Sequence, residues 1–170
     1  MQIQPACHAV LPRERLAERL ESERRGKTVV FTNGCFDLIH VGHVRALEAA
    51  RALGDMLIVG VNSDASVRRL KGDTRPIIPE RERAELIAAL KPVDYVVIFN
   101  ESTSIETIRL LRPDVHVKGG DYRPEDLPET PHVLACGGRV AIAPFVAGVS
   151  TTEIVERIRA AHSNWMRQAG

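Results

Sequence analysis

Two histidines stand three positions apart at the end of a glycine-containing stretch. The residues from Thr32 to His43 read TNGCFDLIHVGH, with His40 and His43 as the pair. An apolar run predicts a strand before this stretch, and an alanine- and leucine-rich run predicts a helix after it. Side chains at i and i+3 share one face of a helix, and the free N–H groups of a helix start attract anions. Gly34 and Gly42 allow the backbone to approach a ligand closely. The pattern therefore predicts an anion-binding site.

Two further segments have features of ligand-binding loops. The segment Ser150–Glu153 reads STTE, which forms a capping box at a helix start, and the same N–H groups and hydroxyls suit a phosphate. These two interpretations are compatible. The segment Lys118–Tyr122 reads KGGDY and follows a predicted strand. It is either a glycine turn with a solvated lysine or a ligand loop in which Lys118 meets phosphate and Asp121 meets a sugar or base.

Three cations lie on or near predicted helices between the histidine stretch and the segment that begins at Lys118. Lys71, Arg75 and Arg83 could each be an ordinary solvated surface charge. If they gathered at one mouth of the fold, they would form a clamp for a polyphosphate, because cations neutralise phosphate oxygens.

Several familiar motifs are absent. The triplet at 26–28 reads GKT, but position 21 is Glu21 and the triplet precedes its strand, so it is not a phosphate-binding P-loop. Neither Gly-x-Gly-x-x-Gly after the first strand nor Gly-x-Ser-x-Gly occurs. Cys35, His40 and His43 offer three zinc ligands without a clear fourth, so we predict no metal site built from side chains.

The composition is that of an ordinary soluble domain. The chain has 170 residues, 44% hydrophobic and 26% charged, with a formal net charge of +1. This charge and an aromatic content of 4% argue against nucleic acid as a partner, and no apolar run is long enough to span a membrane. Three scattered cysteines and the lack of a signal peptide predict a cytoplasmic protein.

Strand and helix patterns alternate along the chain. Helices are predicted over 13–25, 44–53, 79–90, 102–111 and 150–161, with a short helix ending at Leu70 after an N-cap within 62–64. Strands are predicted over 27–32, 56–61, 95–99, 115–117 and 140–143, and an exposed loop over 122–131. This alternation predicts an α/β fold with a doubly wound parallel sheet, which binds ligands beyond the carboxyl ends of its strands.

The stretch from Gly34 to His43 resembles the His-x-Gly-His motif of the cytidylyltransferase-like nucleotidyltransferase superfamily. Segments 61–76, 112–122 and 148–154 resemble one branch of it, the D-glycero-β-D-manno-heptose 1-phosphate adenylyltransferases, which make ADP-heptose for lipopolysaccharide biosynthesis. The resemblance implies a Rossmann-like nucleotidyltransferase domain over 27–161, after a helical extension at 1–26 and before a tail at 162–170. Segment 147–149 is less polar than in the family.

The resemblance also implies a mechanism and a set of residues. A sugar 1-phosphate would attack the α-phosphorus of ATP and release pyrophosphate, with Mg²⁺ bridging the phosphates. Its catalytic residues would be His40, His43 and Lys71. The nucleotide would be bound by Thr32, Asn33, Gly34, Cys35, Phe36, Arg75, Arg83, Lys118, Gly119, Asp121, Ser150, Thr151 and Thr152. The sugar phosphate would be bound by Asp37, Asn62, Ser63 and Asp64.

Two other functions stay open at this point. One is a cytidylyltransferase acting on glycerol 3-phosphate or another small phosphate, and the other is a non-catalytic nucleotide-binding regulator. Members of the heptose branch are often fused to a sugar kinase that this sequence lacks. The resemblance therefore implies a separate heptose kinase in the pathway, and it implies a homodimer or higher homo-oligomer.

Overall fold

The structure is a computed structural model that describes residues 9–120, 122–143 and 150–169. Its strands are β1 (Val29–Gly34), β2 (Met56–Asn62), β3 (Tyr95–Phe99), β4 (Val115–Gly119) and β5 (Arg139–Ala143). They form one parallel sheet in the order β3-β2-β1-β4-β5. All seven residues of β2 are buried, because the sheet is covered on both faces and β2 lies inside it.

Helices cover the two faces of this sheet. They are α1 (Arg13–Glu23), α2 (Val41–Arg51), α3 (Asp64–Lys71), α4 (Glu80–Ala88), α5 (Ile105–Leu111), α6 (Thr130–Ala135) and α7 (Thr151–Ala169). One apolar cluster contains Val30, Val59 and, from α2, Leu47. The other contains Phe31 with Leu16 of α1. Successive side chains of a strand point to opposite faces of the sheet, so each face packs against its own apolar core.

The order of the strands determines where a ligand can bind. β1 lies in the middle, paired with β2 on one side and β4 on the other. The chain proceeds outward from β1 to β3, then returns to place β4 beside β1. A crevice therefore opens beyond the carboxyl ends of β1 and β4, where the connections diverge to opposite faces. The loops after these two strands are the ones that sequence analysis singled out.

The predicted fold class, an α/β doubly wound parallel sheet, is confirmed. Three local features differ from prediction. Helix α2 begins at Val41 and so includes His43 in its first turn. The segment 122–131 contains a 3₁₀ turn at Pro124–Asp126 and the start of α6, and it buries Leu127 and Glu129, so it is not simply an exposed loop. Helix α7 continues through the predicted tail to Ala169.

None of the helices in the described ranges is both long enough and apolar enough to cross a lipid bilayer.

Candidate active site

A cleft of about 450 Å³ lies at the carboxyl edge of the sheet. Its walls come from the loop after β1, the start of α2, the ends of α3 and β4, and the start of α7. The volume falls in the usual range of small-molecule sites, about 300–1,000 Å³. The residues of the predicted site that line this cleft are Cys35, Phe36, Asp37, His40, His43, Lys71, Arg75, Gly119, Ser150, Thr151 and Thr152.

The two histidines stack on one another at the entrance to α2. Their ring centroids are 3.8 Å apart, with an angle of 20° between the planes. His40 is the N-cap of α2, in extended backbone conformation, and His43 follows in the first turn. The Nδ1 atoms of both rings are buried and have no hydrogen-bond partner among the described residues. Buried polar atoms are normally paired, so these two atoms retain hydrogen-bonding capacity that the described residues do not use.

Burial keeps the two imidazoles uncharged. Burial, together with the smaller effect of the neighbouring His40 ring, lowers the pKa of His43 to about 4. Burial also lowers the pKa of His40, against the opposing effect of the Glu153 carboxylate. A nonpolar surrounding disfavours the charged form of an imidazole. Both rings are therefore neutral near pH 7 and can donate hydrogen bonds to a phosphate without carrying a full charge.

The turn after β1 holds His43 in place through Phe36. Phe36 has a left-handed backbone conformation, with φ of 49°. Its ring meets the His43 ring edge-on, with centroids 5.2 Å apart. A Cβ atom on Gly34 would lie 3.1 Å from Cε2 of this ring, which is tighter than ordinary van der Waals contact. A glycine at position 34 therefore lets Phe36 pack closely enough to support His43.

The start of α7 forms the opposite wall. Ser150 Oγ accepts a hydrogen bond of 3.1 Å from the backbone N–H of Glu153, which confirms the predicted N-cap. Thr151 and Thr152 line the cleft beside it. Because the first N–H groups of a helix have no partner within the helix, this wall presents hydroxyls and a partial positive charge to a ligand.

Two cations face the cleft from the segment that follows β2. Lys71 ends α3 and is exposed, with no ion-pair partner in the described part of the chain. Arg75 is mostly buried, and its Nη1 atom donates to Asp37 Oδ2. The structure thus brings one free and one paired cation to the same cleft as the histidines.

Arg83 is not in this cleft. Its side chain is completely buried, and its guanidinium donates to the backbone oxygens of Cys35 and Ile78 and to Asp64 Oδ1. All three donor nitrogens therefore have partners within the protein. Sequence analysis could place Arg83 on a helix, but it could not show that the side chain turns inward to join three separate segments.

Three predicted nucleotide-binding residues also lie outside the cleft lining. Thr32 Oγ1 donates to Val117 O across the sheet, at 2.9 Å. Asn33 Oδ1 accepts from Ser104 Oγ at 3.2 Å. Gly34 lies beneath the Phe36 ring, at the end of β1.

Lys118 lies on β4, but its Nζ atom is 3.5 Å from Oε1 of buried Glu129. The partner comes from the segment that sequence analysis expected to be exposed. Asp121, which follows on the same predicted loop, lies outside the described residues.

The residues predicted for the sugar phosphate divide into two groups. Asp37 lines the main cleft. Ser63 and Asp64 line a separate cleft of about 720 Å³ between α3, α4 and the end of β3. Ser63 Oγ also caps α3 by accepting from Ser66 N, which confirms the predicted N-cap there, and Asn62 Nδ2 donates to Ser66 Oγ.

Sequence analysis missed apolar residues of the main cleft. Ala46 and Val67 both line it. Ala46 stands three positions after His43 on α2, and Val67 stands four positions before Lys71 on α3. Helical spacing places each beside a predicted site residue, so the signal was present. Gly120, also at the cleft, belongs to the glycine pair already singled out.

Comparison with known proteins agrees with this fold. A five-stranded parallel sheet with paired histidines at a helix start, facing a second helix start, is the arrangement expected of a nucleotidyltransferase. The chain belongs to the cytidylyltransferase-like family, which matches residues 31–157. The predicted family is therefore confirmed.

Individual curated proteins are also similar to this chain in sequence. The bifunctional protein HldE of Syntrophotalea carbinolica is 60% identical over 147 residues, which is 86% of this chain and 30% of that protein. HldE of Geobacter sulfurreducens is 55% identical over 138 residues, or 81% of this chain and 28% of that protein. This chain therefore spans about three tenths of the length of the curated relatives that it matches.

Solved structures show the same fold. The lipopolysaccharide core biosynthesis protein of Thermoplasma volcanium is 31% identical with a TM-score of 0.59, covering 71% of this chain and 98% of that one. Pantoate-beta-alanine ligase of Francisella tularensis has a TM-score of 0.55 at 12% identity, covering 79% of this chain and 66% of that one. The second similarity concerns the fold alone.

Proposed function

We propose that this chain is an adenylyltransferase that joins ATP to D-glycero-D-manno-heptose 1-phosphate, giving ADP-heptose and pyrophosphate. The observation that carries the proposal is the stacked pair His40 and His43, which lines a cleft of the size of a nucleotide site. The Nδ1 atoms of both rings have no hydrogen-bond partner among the described residues. Lys71 and the start of α7 surround the same space. These groups suit a triphosphate and include no evident nucleophile.

The proposed reaction needs alignment and charge neutralisation more than acid–base chemistry. An ionised oxygen of the sugar phosphate attacks the α-phosphorus of ATP, and the bond from that phosphorus to the bridging oxygen of the β-phosphate breaks. The electron pair leaves with pyrophosphate, so no proton has to be removed from the nucleophile. His40 and His43 donate hydrogen bonds to phosphate oxygens as negative charge develops, and Lys71 neutralises the leaving group.

The cleft suits Mg²⁺ that is bound mainly through the substrate. Among the described residues no group of three or more His, Cys, Asp or Glu side chains is placed to hold a metal ion. The carboxylate of Asp37, at the cleft, already accepts from Arg75 and from two backbone N–H groups. We therefore propose that phosphate oxygens and water supply the magnesium ligands. When bound, the ion would neutralise phosphate charge.

Adenine and a heptose are proposed from the relatives. Proteins named HldE match at 55–60% identity, and the Thermoplasma volcanium neighbour is named as a lipopolysaccharide core biosynthesis protein. The name of the Thermoplasma volcanium protein supports a role of this chain in making lipopolysaccharide. A cytoplasmic location, a separate heptose kinase and a homodimer or higher homo-oligomer stay predictions from the resemblance.

A substrate panel tests the proposal. Pyrophosphate release is measured with ATP, CTP, GTP and UTP, each combined with heptose 1-phosphate or glycerol 3-phosphate in the presence of Mg²⁺. We expect turnover with ATP and the heptose, with ADP-heptose identified by mass spectrometry. Turnover confined to CTP and glycerol 3-phosphate would contradict the heptose assignment. Failure of every pair, from folded protein that still binds ATP, would contradict catalysis and favour a regulatory nucleotide-binding role.

A further inference from the structure

We propose that Asp37 is a positioning residue, which acts on the bound nucleotide through Arg75 and makes no direct contact with the sugar phosphate. The proposal rests on the proposed function and on the sequence-based prediction that Arg75, which lines the cleft, binds the nucleotide. It assigns a task to a carboxylate at the centre of the histidine loop that the mechanism above does not use.

All the contacts of Asp37 point to the segment that carries Arg75. Oδ2 accepts from Arg75 Nη1, and Oδ1 accepts from the backbone N–H groups of Ile77 and Ile78 at 2.7 and 3.0 Å. The residue is only 5% exposed. A carboxylate that already has three donors and almost no exposed surface is poorly suited to binding sugar hydroxyls.

Arg83 anchors the same segment from the other side. Its Nε atom donates to Ile78 O at 2.8 Å, and its Nη1 atom donates to Cys35 O. The histidine loop is thus joined to the Arg75 segment twice, once by Asp37 and once by Arg83. Because the guanidinium of Arg83 is completely buried, this second connection does not depend on solvent-exposed contacts.

The contacts made by Asp37 and Arg83 fix the orientation of the Arg75 side chain. Its side chain lines the cleft and is 18% exposed, while one terminal nitrogen is held by Asp37. An arginine side chain that is unrestrained in the free protein loses rotamer freedom when it binds phosphate. A hydrogen bond that already fixes the side chain before binding reduces this entropy loss. Asp37 would therefore strengthen nucleotide binding although it is itself an anion near a polyanionic ligand. Without the Arg75 pair, its charge would repel phosphate.

A double-mutant cycle separates action through Arg75 from direct contact. The variants are Asp37→Asn, Arg75→Gln and the double substitution, and the measurement is ATP affinity by calorimetry. Asparagine keeps its single amide oxygen for the Ile77 and Ile78 N–H groups and turns its Nδ2 donor, which cannot accept from a guanidinium, toward Arg75. We expect Asp37→Asn to weaken ATP binding about tenfold when Arg75 is present. In the Arg75→Gln background the same change should not weaken binding, because the unpaired Asp37 charge itself repels phosphate.

Equal losses in the two backgrounds would overturn the proposal, as would unchanged ATP affinity in Asp37→Asn alone. Asp73→Asn is the matched control, because Asp73 is an exposed carboxylate of the same segment, and it should leave affinity unchanged. Thermal unfolding checks each variant. If Asp37→Asn does not fold, Asp37→Glu replaces it, with the same non-additivity expected.

The cycle also distinguishes this inference from the proposed function. ATP affinity can be measured even if no sugar phosphate is turned over. If the unchanged protein forms ADP-heptose but the affinity losses of the two substitutions are additive, only the role of Asp37 is contradicted. Absence of turnover together with a non-additive cycle would contradict only the proposed reaction.

Discussion

The imidazole rings of His40 and His43 lie face to face, 3.8 Å between centroids, and neither Nδ1 atom has a partner in the described structure. Two stacked imidazoles this close repel one another when both are charged, and burial adds to that cost. The free protein therefore holds the pair uncharged at neutral pH. A bound phosphate lowers the free-energy cost of protonating these rings, because an anion favours the cationic form of a nearby imidazole.

We expect ATP binding to be linked to proton uptake at His43. The pKa of this residue is about 4 in the free protein and will rise when phosphate lies beside it. The bound state then holds more protons than the free state at pH values between the two pKa values. ATP affinity should therefore increase as pH falls from 7 toward 5. Calorimetry in buffers of different ionisation enthalpy measures the number of protons taken up.

His43→Asn separates this proton from those of the nucleotide itself. Protonation of the phosphates contributes equally to both proteins, so the difference in uptake belongs to the imidazole. We expect the variant to take up fewer protons at pH 6. Identical uptake in the two proteins would show that His43 stays neutral in the complex.

His40→Ala should reduce turnover by about 10²–10³-fold, the usual cost of removing one donor that stabilises a transition state. The unfolding temperature should change little, because His40 is only partly buried and its side chain makes no cap hydrogen bond to α2. Single-turnover kinetics and thermal unfolding provide the two measurements. His162→Ala is the control, since His162 is exposed on α7 and contacts Trp165. Near-normal turnover in folded His40→Ala would contradict the proposed role.

Lys118 and Glu129 should respond unequally to neutral substitutions. Lys118→Met leaves Glu129 buried, with only 4% of its side chain exposed and one oxygen already unpartnered among the described residues. Glu129→Gln leaves a lysine whose side chain is 22% exposed and can turn toward water. We therefore expect Lys118→Met to lower the free energy of unfolding by about 2–3 kcal/mol, and Glu129→Gln by about 1 kcal/mol. Urea unfolding at pH 7 gives both values, and the reverse order would contradict the burial argument.

His116 should make stability depend on pH in the mildly acidic range. Burial, aided by Lys118, lowers its pKa from 6.5 to about 4 in the folded protein. The unfolded chain therefore binds a proton between these pH values while the folded chain does not. The stability contribution is complete above pH 6.5 and is lost as pH falls toward 4, at about 1.4 kcal/mol per pH unit.

His116→Phe tests this dependence. Phenylalanine can keep the stacking against Phe31, where the present centroids are 5.7 Å apart, but it cannot titrate. Between pH 6.5 and 4, the slope of the unfolding free energy against pH should be smaller in the variant than in the unchanged protein. The difference should be about 1.4 kcal/mol per pH unit, which corresponds to one proton. His43 is also buried and should retain its own contribution. An unchanged slope would show that His116 does not stay neutral in the folded state.

Much of the fold could be predicted because the strands are short apolar runs with clear ends. The predicted strand at 95–99 matches β3, and the run at 56–61 matches β2 except for its last residue. The helix α6 was missed because it is short and begins within a proline- and glutamate-rich segment, which is typical of loops. Only the folded structure shows that Leu127 and Glu129 turn inward there.

The candidate site was predictable where one local segment supplies both the backbone and the side chains. The histidine loop and the start of α7 are of this kind, and both line the cleft. Arg83 and Lys118 could not be placed because their partners are distant in sequence: Arg83 pairs with Asp64, and Lys118 with Glu129. Charge and spacing along one helix or strand give no information about pairs between different segments.

The two walls of the cleft are far apart in the order of synthesis. The histidine loop ends at residue 43, while Ser150, Thr151 and Thr152 form the wall opposite it. On a ribosome, the sheet from β1 to β5 can assemble before the second wall has emerged. A nascent chain would therefore hold a folded sheet with half a site, and nucleotide binding would begin only when α7 is released. Competence to bind nucleotide would thus report that residues 150–152 have emerged and folded against the sheet, which formation of the sheet alone would not show.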